Sequence, residues 1–348
     1  MRAPSTDLWA FIREMIDSGM SRISTHDANK TRGDLLAISD FSVSFETEAG
    51  VARVLDRVNL RIGKGEIVGL VGESGSGKTT LARAILGVLA PNARIDHGGL
   101  TFTGETNVTF VPQDPFSSLS PLFTVGDQIM ELMRWRSPER RNGERFYSRS
   151  RRRADREQVI AMLSAVQLPD PVRLLTKYPH EVSGGQRQRI MIAMALLPKP
   201  ALIVADEPTT ALDVTIQAQI LKLLRHLATG HHVSVLLTTH DLGTAWEICD
   251  RIMVMYAGQE LETAPVESFF RAPMVPYTGR LLASLPAAGA MPAAIQGEMP
   301  GLYQPPTGCR FHPRCQSATD ICRDTRPPPS EPEPGHIIRC HHPRAFGA

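Results

Sequence analysis

The chain has 348 residues, 42% of them hydrophobic and 21% charged, enough apolar material for one large domain plus a smaller one, and global disorder is excluded. Its net charge of +2 gives no reason to expect nucleic acid as a partner. No apolar run approaches the ~20 residues of a membrane-spanning helix, and the first residues lack a secretion signal, so a cytosolic protein is the default expectation.

In chain order, Leu8, Ile12, Met15 and Ile16 make one apolar helical face over residues 7–17, with Trp9 and Phe11 beside it and Ser5 or Thr6 as cap. The stretch is short and not rich in basic residues, so a docking helix or an extension outside the fold is expected ahead of a membrane-surface helix. Residues 21–33 are polar and read as a linker. From Ile38 the pattern turns to strands: residues 41–45 alternate, residues 46–50 turn, and Val54, Val58, Leu60 and Ile62 mark the return. Phe45 reads either as an aromatic face for a flat base or as a core phenylalanine.

Next comes the stretch around which the rest is organised. The apolar β-branched run over residues 66–71 reads as a buried strand and leads into Gly72, Glu73, Ser74, Gly75, Ser76, Gly77, Lys78, Thr79 and Thr80. This fits G-x-x-x-x-G-K-[ST]. Leu81, Ile85 and Leu89 then recur at helical spacing, with Pro91 as the expected stop. Strand, glycine loop and helix together are a phosphate-binding context: glycines let backbone N–H groups curl around phosphate oxygens, and the helix start adds the positive end of a dipole. Lys78 is placed to reach the β- and γ-phosphates and the Thr79 hydroxyl to coordinate Mg²⁺.

Residues 98–110 alternate like a strand and Gln113 follows them. Up to His180 the chain reads as largely helical and polar, with a dense arginine block over residues 134–156 that is expected to be a solvated helix face or a mobile loop, ahead of nucleic-acid binding. Trp135, Phe146 and Tyr147 are too few to make a stacking platform for nucleic acid. Ser183, Gly184, Gly185 and Gln186 have the S-x-x-Q spacing of a capping box, so the glycines open a helix with Ile190, Met191, Met194 and Leu197 on its apolar side and Pro198 after it. The apolar run over residues 201–205 then delivers two carboxylates, Asp206 and Glu207, at a strand end, where open α/β sheets put their ligand sites. One can hold Mg²⁺ and the other can orient or deprotonate a water. Asp213 leads into another amphipathic helix closed by Gly230, and residues 233–239 make a buried strand ending at His240.

With Gln113, the Ser183–Gln186 tetrad, Asp206-Glu207 and His240 in that order, residues 36–265 resemble the nucleotide-binding subunit of an ABC transporter. The resemblance implies that residues 72–80 are Walker A, Gln113 the Q-loop and residues 183–186 the signature. It makes Asp206 the Walker B aspartate, Glu207 the catalytic base, Asp213 the D-loop residue, His240 the switch histidine and Phe45 the adenine-stacking aromatic. Mg²⁺ is then held by Thr79, Gln113 and Asp206. One departure is that the chain between Gly104 and Val111 is shorter than in close relatives.

Four of the five cysteines fall in the last forty residues. Residues 275–286 resemble the start of the C-terminal extension of oligopeptide and dipeptide importer ATPases, and Cys309, Cys315, Cys322 and Cys340 match its cysteine region. Their spacing, C-x5-C-x6-C-x17-C, is not that of a zinc ribbon. Prolines crowd the segment, so it cannot bury much core and an inorganic centre would explain its order. Thiolates suit zinc and iron–sulfur alike; the resemblance favours a [4Fe–4S] cluster, with zinc and a metal-free scatter of structural cysteines as the alternatives. Cys249, in the main domain, reads as a small buried residue.

The expectation is an α/β chain in three parts. Residues 1–33 form an extension of unassigned role. Residues 34–268 form an ATPase domain with a RecA-like parallel sheet, an antiparallel β subdomain and a helical subdomain carrying the signature. Residues 269–348 form a cysteine-rich extension. By resemblance, the chain hydrolyses ATP in a head-to-tail dimer with a paralogue or a second copy. Two permeases and an extracytoplasmic solute-binding protein complete the importer, on the cytoplasmic side of the inner membrane. Peptides are the expected cargo, with nickel or another small solute as the alternative. The less favoured rival is a soluble non-transport ABC ATPase, a class that typically carries two ATPase domains or a long coiled-coil insertion, neither of which is expected from the sequence given.

Overall fold

The computed structural model describes residues 33–104, 107–140, 144, 146–208, 214–285 and 295–344. The helix expected over residues 7–17, most of the linker and the D-loop residue Asp213 lie outside the described residues. The strands are β1 (Asp34–Thr47), β2 (Gly50–Gly63), β3 (Ile67–Val71), β4 (Ala93–Phe102), β5 (Val108–Val111), β6 (Leu202–Asp206), β7 (Ser234–Thr239), β8 (Arg251–Tyr256), β9 (Gln259–Pro265), β10 (Ser330–Glu333) and β11 (His336–Ile338). The helices are α1 (Lys78–Leu86), α2 (Val125–Arg136), α3 (Arg149–Ala165), α4 (Pro171–Leu174), α5 (Gly184–Leu196), α6 (Val214–Gly230), α7 (Leu242–Ile248), α8 (Val266–Arg271), α9 (Pro276–Ala283) and α10 (Asp320–Asp324). None of the described helices is long and apolar enough to cross a membrane.

The chain divides into two compact units: one takes residues up to Gly63, Ile67–Phe102 and everything from Leu237 onward, and the other takes Lys64–Glu66 and Thr103–Leu236. In the first, β1 pairs antiparallel with both β2 and β4. Its inward side chains include Leu36, Ile38, Phe41 and Val43, facing Leu55, Val58, Leu60 and Ile62 from β2, and all are buried. This is the expected antiparallel subdomain. A second sheet in the same unit runs β10-β11-β9-β8-β3, with β3 parallel to β8 and β9 antiparallel to it. All five residues of β3 are buried, as a strand covered on both faces requires. Each such Val, Leu or Ile side chain stabilises the fold by roughly 1.5–3 kcal/mol relative to an exposed one. The C-terminal hairpin β10–β11 adds to the edge of this sheet, through Ile337 opposite Thr263 and Ile338 opposite Glu262.

In the second unit β5 and β6 pair in parallel, Val108 with Leu202 through Val111 with Ala205. Helix α2 packs on α3, α3 on α5, and α5 on α6. Their shared core includes Ile129, Met133, Val159, Leu163, Ile190 and Ala193.

The structure corrects three details of the sequence reading. Helix α1 stops at Leu86 and not at Pro91, because Gly87 takes the left-handed conformation and returns its N–H to Ala84 and Arg83. Residues 98–110 do not form one strand: β4 ends at Phe102, and β5 belongs to a different sheet. The arginine block is not wholly solvated either. Arg151 is buried against Glu144 and Asp155, and Asp155 also accepts hydrogen bonds from Ser137 (2.6 Å) and Tyr147 (2.8 Å).

Candidate nucleotide site

Within the first unit, β3 hands the chain directly to the glycine loop, and α1 begins at Lys78. Gly72 has φ +150°, and a Cβ there would stand 2.2 Å from the Met255 carbonyl oxygen, so only glycine lets the loop leave the sheet. Gly77, at φ +102°, caps α1 with no side-chain hydrogen bond, so the phosphate loop runs straight into the positive end of the helix dipole. Lys78 folds back along the loop, donating to the carbonyls of Gly72 (2.8 Å) and Glu73 (3.0 Å). It is 7% exposed, and Ser76, two residues before it, is fully buried, its hydroxyl without a hydrogen-bond partner among the described residues. Ser74, Gly75 and Thr79 are exposed and Thr80 is half-buried. Phe45 is half-buried near the end of β1, and His240 is exposed just after β7.

The second unit carries the acidic pair and the capped glycine helix. Asp206 is the last residue of β6 and is 8% exposed, whereas Glu207 is half-buried in a left-handed conformation at φ 45°. A non-glycine residue rarely occupies that region, and such strain collects at functional sites. Gln113 donates to the Glu207 carboxylate at 3.0 Å, so two residues 94 apart in sequence meet here. Ser183 caps α5 as its spacing predicts: its hydroxyl accepts from the Gln186 N–H at 3.3 Å, and the Gln186 side chain accepts from the Ser183 N–H at 3.0 Å. Gly184 and Gly185 form the first turn of α5.

The sequence reading missed a contact beside these residues. The Arg187 guanidinium lies 4.4 Å from the Phe116 ring centroid, joining the start of α5 to the loop after Gln113. In that loop the N–H of Phe116 and the hydroxyl of Ser117 hold the Asp114 carboxyl below its usual range, with Arg187 contributing in the same direction. A second missed contact reaches the phosphate loop itself. Arg314, from the C-terminal segment, pairs with Glu73 at 3.0 Å. No local pattern announces either one, since both join residues far apart in the chain.

The cysteine segment packs with Leu261, Val275 and Phe311 around a small cavity, and Cys309, Cys315, Cys322 and Cys340 all line it. None is in a disulfide. Burial pushes the Cys309 thiol up to about 12 and the Cys340 thiol up to about 11, and raises Cys315 as well. The His342 N–H points at the Cys340 sulfur at 3.3 Å. Among the described residues, no group of three or more Cys, His, Asp or Glu side chains stands close enough together to hold a single metal ion. Cys249 is 1% exposed at the end of α7, the small core residue expected there.

Comparison with known proteins agrees with this geometry. The ABC transporter family model matches residues 55–210, and the model of the oligopeptide/dipeptide transporter C-terminal region matches residues 261–322. The dipeptide transport ATP-binding protein DppD of Escherichia coli K12 is 40% identical over 327 residues, covering 89% of this chain and 97% of that protein. The oligopeptide transport ATP-binding protein OppD of Salmonella typhimurium is also 40% identical, over 89% of this chain and 94% of its own length. Among solved structures, the dimeric ATP-binding cassette MJ0796 bound to ADP and phosphate superposes with a TM-score of 0.53. It is 25% identical and covers 66% of this chain and 98% of its own. The fold is therefore that of an ABC P-loop ATPase with an antiparallel β subdomain, and the chain belongs to the ATP-binding proteins of dipeptide and oligopeptide ABC transporters.

Proposed function

We propose that this chain is the ATP-hydrolysing subunit of an importer for dipeptides or oligopeptides. The observation that carries this reading is that the likeness to DppD and OppD runs over 89% of the chain, through the C-terminal region as well as the ATPase region. Residues 72–80 cradle the phosphates, with Lys78 facing the β- and γ-phosphates and Phe45 against the adenine. Thr79 and Asp206, with Gln113, supply the hard oxygen ligands that Mg²⁺ prefers, and the ion's role is to neutralise charge on the phosphates. Glu207 takes the proton of the attacking water or orients it, and His240 contacts the γ-phosphate. Residues 183–186 offer a capped helix start to the nucleotide of a second ATPase subunit, and Asp213 belongs to the same dimer contact. The partners are that second subunit, a paralogue or another copy, two permeases and a solute-binding protein. The chain itself is peripheral on the cytoplasmic face of the membrane.

For the C-terminal segment we propose a centre bound by Cys309, Cys315, Cys322 and Cys340. The four thiols border one cavity, a backbone N–H is aimed at one sulfur, and the segment has little other core. Thiolates suit zinc and iron–sulfur alike, and it is the resemblance of the C-terminal region that favours a [4Fe–4S] cluster over zinc. The cluster would serve as a structural cross-link, since a bound centre contributes its binding energy to folding.

The deciding experiment is uptake of labelled dipeptides and tripeptides by the native host with and without this chain. Loss of peptide uptake, restored by the wild-type chain and not by Lys78→Ala, supports the reading. Unimpaired peptide uptake with loss of nickel or another solute overturns the cargo. Anaerobic purification followed by iron, zinc and acid-labile sulfide analysis tests the centre, and stoichiometric zinc without sulfide overturns the cluster.

A further inference from the structure

We propose that Arg314 is a positioning residue of the nucleotide site: it acts from the cysteine segment through Glu73 to fix the backbone of the phosphate loop. This rests on the ATP-binding reading of residues 72–80. Three of the loop's glycines, Gly72, Gly75 and Gly77, have positive φ, and such a loop has little conformational preference of its own. Its shape must come from neighbours, and Glu73 is where they attach. The Glu73 carbonyl accepts from Lys78 Nζ at 3.0 Å and from the Ser76 N–H at 3.2 Å. Its N–H donates to the Tyr277 hydroxyl at 3.1 Å. Its carboxylate takes Arg314 Nη1 at 3.0 and 3.2 Å and Nη2 at 3.2 Å. Every polar group of Glu73 is therefore engaged, and the two anchors that come from outside the loop are Tyr277 and Arg314.

Arg314 is itself held rigidly. Nε donates to the Gln296 carbonyl and Nη2 to the Ile295 carbonyl, both at 2.9 Å, and Nη1 donates to the Tyr256 hydroxyl at 3.2 Å. Its side chain is 4% exposed. A guanidinium keeps its charge in a protein, so at this depth it needs a carboxylate. Beneath it Tyr256, Tyr277 and Phe311 meet one another with ring centroids 4.7–5.1 Å apart, so the ring that anchors the Glu73 N–H and the ring under Arg314 form one packed group.

A pair that merely fastened the C-terminal segment would not need to end in the phosphate loop. The segment has fastenings elsewhere: Arg310 on Asp56, Arg326 on Asp56 and Glu260, Arg339 on Glu260, and His336 on Glu262. Among the described pairs, Arg314 is the one that lands on a residue of the glycine loop. It also directly precedes Cys315, in the short turn His312–Arg314. Order in the cysteine segment thus sets where the guanidinium stands, and the loop enters its nucleotide-binding form before any phosphate arrives. Preorganisation of this kind acts on affinity.

The test is equilibrium binding of Mg-ATP and of ADP to the purified full chain, with melting curves as a check on folding. Glu73→Gln keeps the shape of the side chain and removes its charge. Glu73→Gln and Arg314→Gln should each raise both dissociation constants about tenfold, as loss of one charge-assisted contact to a preorganised loop implies. The double variant should be no weaker than the worse single one, because both act through the same contact. Arg314→Lys should fall between, since an ammonium keeps the charge and loses the fork. A folded Glu73→Gln chain with wild-type affinity, or losses that add in the double variant, overturns the proposal. Should Arg314→Gln fail to fold, Glu73→Gln decides alone. A wild-type chain that binds neither nucleotide overturns the ATP-binding reading first and this proposal with it.

Discussion

Strand β3, which delivers the phosphate loop, buries all five of its residues, four of them aliphatic or branched, before the glycines begin. The described C-terminal segment after residue 294 buries little aliphatic surface, with Phe311, Cys322, Pro327 and Ile338 as its buried apolar side chains. It fastens itself instead with arginines on carboxylates far back in the chain: Asp56 on β2, Glu73 in the glycine loop and Glu260 on β9. The two regions are in the same unit. One is held by local hydrophobic pattern and the other by long-range charge. Chemistry on the first kind of scaffold is readable from neighbouring residues, and chemistry on the second is not.

The largest effect should come from the strand-delivered carboxylates. Glu207→Gln in the assembled transporter should lower steady-state ATP turnover by roughly a thousandfold, within the range for loss of a general base, with nucleotide affinity retained. Phosphate release and ATP binding measured on one preparation check it. Turnover near that of wild type would break the idea that the end of β6 carries the reaction. The Gln113 contact at 3.0 Å gives a second handle: an amide at position 207 can still accept that hydrogen bond, so the loss reports the missing base and not a displaced loop.

Next in size is a carboxylate of the second kind. Glu262 on β9 is fully buried; it accepts the N–H groups of Met274 (2.8 Å) and Val275 (3.1 Å), just before and at the cap of α9, and meets His336 of β11 at 2.7 Å. Glu262→Ala leaves these donors buried without an acceptor and should cost roughly 3 kcal/mol. Hydrogen exchange should locate the loss at α9 and the β10–β11 hairpin, with β3 and α1 protected as before. Loss of protection spread evenly over β3 would show that the two regions do not differ as described.

What was legible follows the same line. The phosphate loop, the capping box at Ser183 and the strand before Asp206 are each signalled within ten residues, and each is found as read. The end of α1 was misread because a glycine cap at Gly87 overrides apolar spacing that continues to Leu89. A run of arginines suggests a solvated face or loop, and nothing in it says which one turns inward; Arg151 does so because Asp155, Tyr147 and Glu144 converge on it. Neither the strain at Glu207 nor the bond from Arg314 to Glu73 has a local signature.

The smallest effect should come from a pair of arginines only three residues apart in the cysteine segment. Arg326 has 15% of its side chain exposed; it lies 3.7 Å from Asp56 and 3.5 Å from Glu260, and donates to the Arg57 carbonyl at 3.1 Å. Arg323 has 68% of its side chain exposed and, among the described residues, pairs with Asp320 at 4.0 Å. Composition and net charge treat the two alike. If long-range burial of charge is what holds the segment, Arg326→Ala should destabilise by roughly 2 kcal/mol, the range for a hydrogen-bonded charge. The cost stays below that of Glu262→Ala because Asp56 and Glu260 keep Arg310 and Arg339 as partners. Arg323→Ala should change stability by less than about 0.5 kcal/mol, as for most exposed pairs. Denaturant melts of the two variants under one buffer decide it. Equal losses would mean that the segment responds to its total charge and not to where each charge is seated.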